Sequence, residues 1–271
     1  MKHSAVTLQK LRVHRKEFLM AKLTYFDCNC SVGRVPYPCL LDISDVSGLL
    51  SEMDTAGIEE ALVYHTISRY TDPVLGNRLL HEEIAGIERL FPVWVVMPHT
   101  TGELPPPKKL LKEMNANGVK AVRMYPTKDH HSFSLEEWSS GMLLSALEEA
   151  GVPLMLEIEI VWWKSVAKIL KNHPQLPVII IDANYRHNRF TYPLFDRYKN
   201  IYIEISRHFG AGTIEDVVKR FGARPILFGT NMPQYTGTAA VSLLTYADIP
   251  HEDKEAIAGG NLRRLLEEAL S

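Results

Sequence analysis

The sequence predicts one α/β domain, a (β/α)8 TIM barrel over residues 23–271, and three observations lead there. Eight short runs rich in β-branched and aromatic residues recur along the chain, and amphipathic stretches with helix start and stop signals separate them. The chain of 271 residues also has room for a single barrel of about 250. Strands that alternate with helices of this length pair in parallel, because parallel neighbours need a crossover connection, and eight such units close on themselves.

The predicted strands run from Leu23 to Cys30, Ala61 to Thr66, Phe91 to Pro98, Lys120 to Pro126, Pro153 to Glu159, Val178 to Ala183, Asn200 to Ser206 and Pro225 to Thr230. Between them, Ser44 is placed to cap a helix through Leu49, Leu50 and Met53 that stops at Gly57. A helical run over Leu143 to Ala150 ends at Gly151, and Thr213 with Asp216 resembles a capping-box start. Tyr37–Pro38, Glu103–Pro107 and Thr127–Ser134 read as loops from their Pro, Gly and polar content. An open doubly wound sheet would carry Gly-x-Gly-x-x-Gly after its first strand, and that motif is missing there.

With 46% hydrophobic and 23% charged residues, the chain can bury a sizeable core and lacks the composition of a disordered sequence. Thirty Lys and Arg against 32 Asp and Glu give a formal charge of -2, which offers no chain-wide attraction for nucleic acid or anionic lipid. No run approaches the length of apolar residues that spans a bilayer. The three cysteines, Cys28, Cys30 and Cys39, form no disulfide framework, so a reducing compartment, the cytoplasm, is expected. Residues 1–22 read as an N-terminal extension without the apolar segment of a secretory signal, and both Met1 and Met20 fit as its start.

Phe26-Asp27-Cys28-Asn29-Cys30-Ser31-Val32-Gly33 resembles the opening strand of the amidohydrolase-related family, Asp-x-His-x-His-x-Gly. Leu227-Phe228-Gly229-Thr230-Asn231-Met232-Pro233 is similar to its last strand, Leu-Phe-Gly-Thr-Asp-x-Pro, and Gly260-Asn261-Leu262-Arg263-Arg264-Leu265-Leu266 to its C-terminal helix. Ala150–Leu156 and His173–Pro177 resemble the approaches to strands five and six, so the likeness extends over roughly residues 23 to 270 in consistent order. It implies a metal-dependent hydrolase-like barrel, yet each position matching a metal ligand reads differently. Asn29 and Ser31 stand at the first-strand histidines, Glu157 at the strand-five histidine, Asp182 at the strand-six histidine and Asn231 at the strand-eight aspartate.

Amide and hydroxyl oxygens are poor zinc ligands, so no family-type zinc site is expected. Glu157 and Asp182 retain the oxygen chemistry of a harder ion, Mg²⁺ or Mn²⁺, but two carboxylates fall short of a full site. Glu157, Asp182 and Asn231 are the catalytic candidates, the two acids as proton carriers and Asn231 in place of the aspartate that handles the attacking water. Arg123 with Tyr125 on strand four suits a carboxylate, by two parallel hydrogen bonds and a third from the phenol. Asn29, Ser31, His65, Arg207 and His208 complete the expected substrate-binding set at the mouth.

The competing bland readings are specific. Glu157 can be committed to Arg123 or another inward arginine, which would make both structural. Strand alternation puts Asp27, Asn29 and Ser31 on one face, leaving Cys28 and Cys30 to face the helices as small buried groups and not as a metal pair. Glu159 shares the face of Glu157. His130-His131 reads as a solvated pair, and Trp162-Trp163 as packing at the pocket rim.

The function expected is an amidohydrolase-related enzyme acting on a small, anionic molecule, by hydrolysis of a lactone or amide or by a lyase reaction, without zinc. The alternative is a catalytically silent barrel that binds a metabolite or a protein partner; assembly into a homo-oligomer stays open.

Overall fold

The computed structural model describes residues 22–208, 210 and 212–270. Nearly all of the expected extension, with both Met1 and Met20, lies outside the described residues. The strands are β1 (Tyr25–Val32), β2 (Ile58–His65), β3 (Leu90–Val95), β4 (Ala121–Arg123), β5 (Leu154–Glu157), β6 (Val178–Ile181), β7 (Ile201–Glu204) and β8 (Ile226–Leu227). They form one parallel sheet in chain order, β1 to β8. The Cys28 amide donates to the Phe228 carbonyl at 3.0 Å and the Ser31 amide to that of Met232 at 2.9 Å, which joins the last strand to the first. The result is a single-domain α/β TIM barrel.

The helices are α1 (Val46–Ala56), α2 (Thr66–Tyr70), α3 (Pro73–Glu83), α4 (Pro107–Ala116), α5 (Glu137–Glu149), α6 (Trp163–Asn172), α7 (Asn188–Arg197), α8 (Thr213–Phe221), α9 (Gly237–Thr245), α10 (His251–Glu255) and α11 (Asn261–Glu268). Asp45, not Ser44, caps α1, accepting from the Gly48 amide at 2.7 Å, while Gly57 ends the helix at φ 73° as expected. The Thr213 box does not form, because the hydroxyl donates backward to the Gly210 carbonyl at 2.7 Å. Among the described residues, no helix is long and apolar enough to cross a membrane.

Two apolar layers build the core. Residues such as Leu62, Val93, Ala121, Met155, Ile179 and Leu227 fill the barrel interior, and Val63, Val122, Leu154, Ile180 and Ile203 meet the helices outside. From β3 to β8 the observed ladders are shorter than the apolar runs that announced them, whereas β2 starts earlier, at Ile58. β6 stops at Ile181, because the chain then turns out of the sheet at Asp182, φ 64°. Asn231, beyond β8, also takes a left-handed conformation at φ 58°, uncommon for a residue with a side chain.

β1 corrects one expectation. Its pairing with β2 shifts between Asp27 and Cys30, a bulge, so that Cys28 joins the interior cluster while Cys30 faces the helices. The cause is Asp27, whose carboxylate accepts from the Asn29 amide at 2.9 Å and from the Thr230 amide at 3.0 Å and hydroxyl at 2.5 Å. Period-two alternation cannot anticipate a strand bent onto its neighbour by its own side chain.

Candidate functional site

The strands deliver their last inward residues to one end of the barrel. There, Ser31 of β1, Tyr64 of β2, Glu157 of β5, and Asp182, Arg207 and Asn231 beyond β6, β7 and β8 line a cavity of about 260 Å³ together with Arg69 of α2. A larger, open depression of about 970 Å³ lies at the opposite end, among Lys22, Glu59, Glu60, Arg89 and Arg263. Residues at that end of a barrel serve stability, so the smaller cavity is the functional candidate.

Glu157 is committed, but not to Arg123. Arg69 Nη1 donates to Glu157 Oε2 at 2.8 Å and Nη2 to Oε1 at 3.0 Å, a fork onto both oxygens. Arg69 Nε donates to His130 Nε2 at 3.3 Å, and its guanidinium lies 4.7 Å from the Tyr125 ring and 4.9 Å from that of Tyr70. His130 is thus not half of a solvated pair, since both of its ring nitrogens have side-chain partners. Because Arg69 can only donate, His130 Nε2 accepts, and Nδ1 keeps the proton it gives to Thr127 Oγ1 at 2.8 Å. Burial, with the charge of Arg69 behind it, pushes the His130 pKa down and holds it in this neutral form.

Arg123 lies beneath the mouth, 3% exposed. Its Nη2 donates to Asn29 Oδ1 at 2.6 Å, its Nη1 to the Tyr125 hydroxyl at 3.2 Å, and its guanidinium lies 4.3 Å from the Tyr64 ring centre. All these partners are neutral. Arg123 Nε and Asn29 Nδ2 are buried donors without a hydrogen-bond partner among the described residues. Glu157 and Asp182 act on this guanidinium through space without a hydrogen bond to it, so it retains attraction for an anion in the cavity.

Asp182 is the most perturbed acid in the cavity. Burial, followed by the charge of Glu157, raises its pKa to about 6 against the pull of Arg207, Arg123 and Arg69. Asn231 Nδ2 donates to its Oδ1 at 2.9 Å. The Asp182 backbone is anchored from below by Glu204, whose Oε1 accepts the Asp182 amide at 2.8 Å and the Ser206 hydroxyl at 2.8 Å while Oε2 accepts the Ser206 amide at 2.6 Å. Fully buried, Glu204 has its own pKa raised to about 7, first by burial and then by Asp182. Gly229 makes room for this carboxyl: a Cβ there would approach Glu204 Oε2 to 2.7 Å and Cys28 Sγ to 3.1 Å.

Of the residues expected at the mouth, Ser31, Glu157, Asp182, Arg207 and Asn231 line the cavity, whereas Asn29, Arg123 and Tyr125 form its buried underside. His65 does not reach it; its Nδ1 accepts from the Ile67 amide at 3.1 Å and its Nε2 faces Glu83 of α3 at 3.5 Å. His208 is 1% exposed, with Nδ1 3.4 Å from the Ala183 carbonyl. Arg207 pairs with Glu159 at 3.3 Å. Trp162 is exposed, and Trp163 stacks on Phe190 at 5.6 Å between centroids. The sequence reading missed Arg69, Tyr64 and Glu204. Glu204 was visible as an acid inside the apolar run Ile201-Tyr202-Ile203, whereas nothing local marks Arg69.

The family model described as "Amidohydrolase" matches residues 47–267, and the chain belongs to this family. No curated protein sequence matches the chain. Among solved structures, it is similar to an uncharacterised TIM-barrel protein from Bordetella bronchiseptica, at 18% identity and TM-score 0.71 over 91% of this chain and 99% of that one. It is also similar to 5-carboxyvanillate decarboxylase from Novosphingobium aromaticivorans, complexed with manganese and a nitrobenzoic acid, at 12% identity and TM-score 0.70 over 90% and 96%. A third is a probable 2-pyrone-4,6-dicarboxylic acid hydrolase from Acinetobacter baumannii with citric acid bound, at 14% identity and TM-score 0.61 over 90% and 100%.

Proposed function

We propose that this chain is an enzyme that takes a small carboxylate into the mouth of the barrel and breaks a lactone, amide or carbon–carbon bond there with Asp182 as the acid–base group. The observation that carries the reading is Arg123, a guanidinium 3% exposed whose hydrogen-bond partners are all neutral. The decarboxylase and the hydrolase among the structural neighbours are both named for carboxylic acids, which supports the same substrate class here.

The roles follow from what each group has left to give. Glu157 spends both oxygens on Arg69, which leaves Asp182, with a pKa near neutral, to move a proton. Asn231 orients the Asp182 carboxyl, Arg207 supplies a second cation at the rim, and the Ser31 hydroxyl offers a donor or acceptor to the ligand. Asn29 and Tyr125 hold Arg123 in place.

The test is a panel of aromatic and aliphatic carboxylates, lactones and amides, assayed for binding and for turnover with the wild-type chain and Asp182→Asn. Turnover that falls at least about 100-fold in Asp182→Asn while binding persists is the expected result. Binding without turnover in the wild type would make the protein a metabolite-binding barrel, and no binding to any carboxylate would remove the reading.

A further inference from the structure

The family resemblance implies a divalent ion at the strand ends where Glu157 and Asp182 stand, and one structural neighbour is complexed with manganese. The donor set here does not fit one. A divalent ion sits about 2.0–2.6 Å from its carboxylate oxygens. Both Glu157 oxygens instead face the Arg69 fork at 2.8 and 3.0 Å, and a guanidinium and a metal cannot share that edge. Asn29 Oδ1 accepts from Arg123, and Asn231 turns its amide nitrogen, a donor, toward Asp182. Among the described residues, no group of three or more His, Cys, Asp or Glu is arranged to hold a metal.

We propose that the Arg69 guanidinium is the resident cation of this site, locked onto Glu157 in the place of a metal ion, and that the mouth excludes divalent metals. The lock has four parts. Glu157 takes both terminal nitrogens, His130 takes Nε, and the rings of Tyr125 and Tyr70 lie 4.7 and 4.9 Å from the guanidinium carbon. A flexible arginine on the surface exchanges partners; this one, with its side chain 11% exposed against a Glu157 side chain 12% exposed, has each of its three nitrogens engaged. Its source is the single helical turn that follows β2, so the cation arrives from a connecting segment and not from the strand-end positions that the family motif marks.

The proposal deepens the carboxylate reading of the same mouth and rests on it for the ligand, but its test does not depend on ligand binding. The full chain, treated with EDTA, is dialysed against millimolar Mn²⁺ or Zn²⁺ and analysed for bound metal, and the Arg69 Nε–H resonance is followed by ¹⁵N NMR. The wild type is expected to retain no equivalent of either metal that Glu157→Gln releases. Its Arg69 Nε–H, held by His130 Nε2, is expected to be slowly exchanging, unchanged by Mn²⁺ or EDTA, and shifted in Glu157→Gln, where the fork beside it is weakened. One equivalent of metal that disappears in Glu157→Gln, or an Arg69 resonance that moves as metal is added, would overturn it. Failure of the carboxylate panel would leave these readouts untouched, so the two readings fail separately.

Discussion

Asn231 Nδ2 donates to Asp182 Oδ1 at 2.9 Å, and both residues hold left-handed backbone, φ 58° and 64°. The segments that follow β6 and β8 thus meet across the mouth through one hydrogen bond. That bond favours the charged form of Asp182, so its removal pushes the pKa further up. Asn231→Ala is expected to raise the Asp182 pKa above its value of about 6, read by ¹³C NMR titration of the carboxyl carbon, and to displace the acid limb of any pH–rate profile in the same direction.

Stability responds to pH through the same buried acids. The folded pKa of Asp182 is raised from 3.8 to about 6 and that of Glu204 from 4.5 to about 7. A raised acid binds more protons folded than unfolded; its contribution is fully present below the unfolded value and is lost as pH climbs through the folded one. The melting temperature is therefore expected to rise as pH falls from about 8 to about 5. Asp182→Asn should be more stable than wild type at about pH 8, by about 2 kcal/mol, and show a flatter profile.

Glu204 anchors the site from beneath, accepting two amides and a hydroxyl with no exposure to solvent. Glu204→Gln puts an amide donor against other donors, and it is expected to cost about 2–3 kcal/mol in urea unfolding. Gly229→Ala should act through the same carboxyl, since the added Cβ would come within 2.7 Å of Glu204 Oε2. Its expected cost is about 1–3 kcal/mol, with the Asp182 pKa altered as well.

Arg69→Met alone leaves a carboxylate whose side chain is 12% exposed without its partner and is expected to cost about 3 kcal/mol. Arg69→Met with Glu157→Met removes both charges and should recover most of that loss. Chemical denaturation of the two variants and the wild type gives the comparison; a double variant as unstable as the single one would show that the aromatic and His130 contacts of Arg69, not the ion pair, carry its structural weight.

The alternation of apolar runs with capped helices made the eight strands and the barrel legible, and the Asp27-x-Asn29-x-Ser31-x-Gly33 and Phe228-Gly229-Thr230-Asn231 segments placed its two ends. Strand-end reasoning also reached Asp182 and Asn231, because an inward residue after an apolar run has to emerge at the mouth. It failed where a side chain redirects the backbone: the Asp27 contacts with Thr230 bulge β1 and turn Cys28 inward. It failed again at Arg69, since a long side chain on a connecting helix can reach Glu157 from 88 residues away without any local signature. Glu157 was read against Arg123 or another inward arginine; its partner is Arg69, and the hydrogen-bond partners of Arg123 are neutral.

Arg123, whose hydrogen-bond partners are all neutral, is expected to draw a carboxylate into the mouth, and Arg123→Met is the variant that reads this out. Benzoate and citrate are titrated calorimetrically into wild type and variant, and thermal unfolding is followed in parallel. Loss of a buried charge that lacks a carboxylate partner should leave the melting temperature unchanged or raised, while affinity for the carboxylate that the wild type binds falls at least about tenfold. A variant that binds this carboxylate as tightly as wild type, or that unfolds because Arg123 serves only to hold Asn29 and Tyr125, would contradict the account.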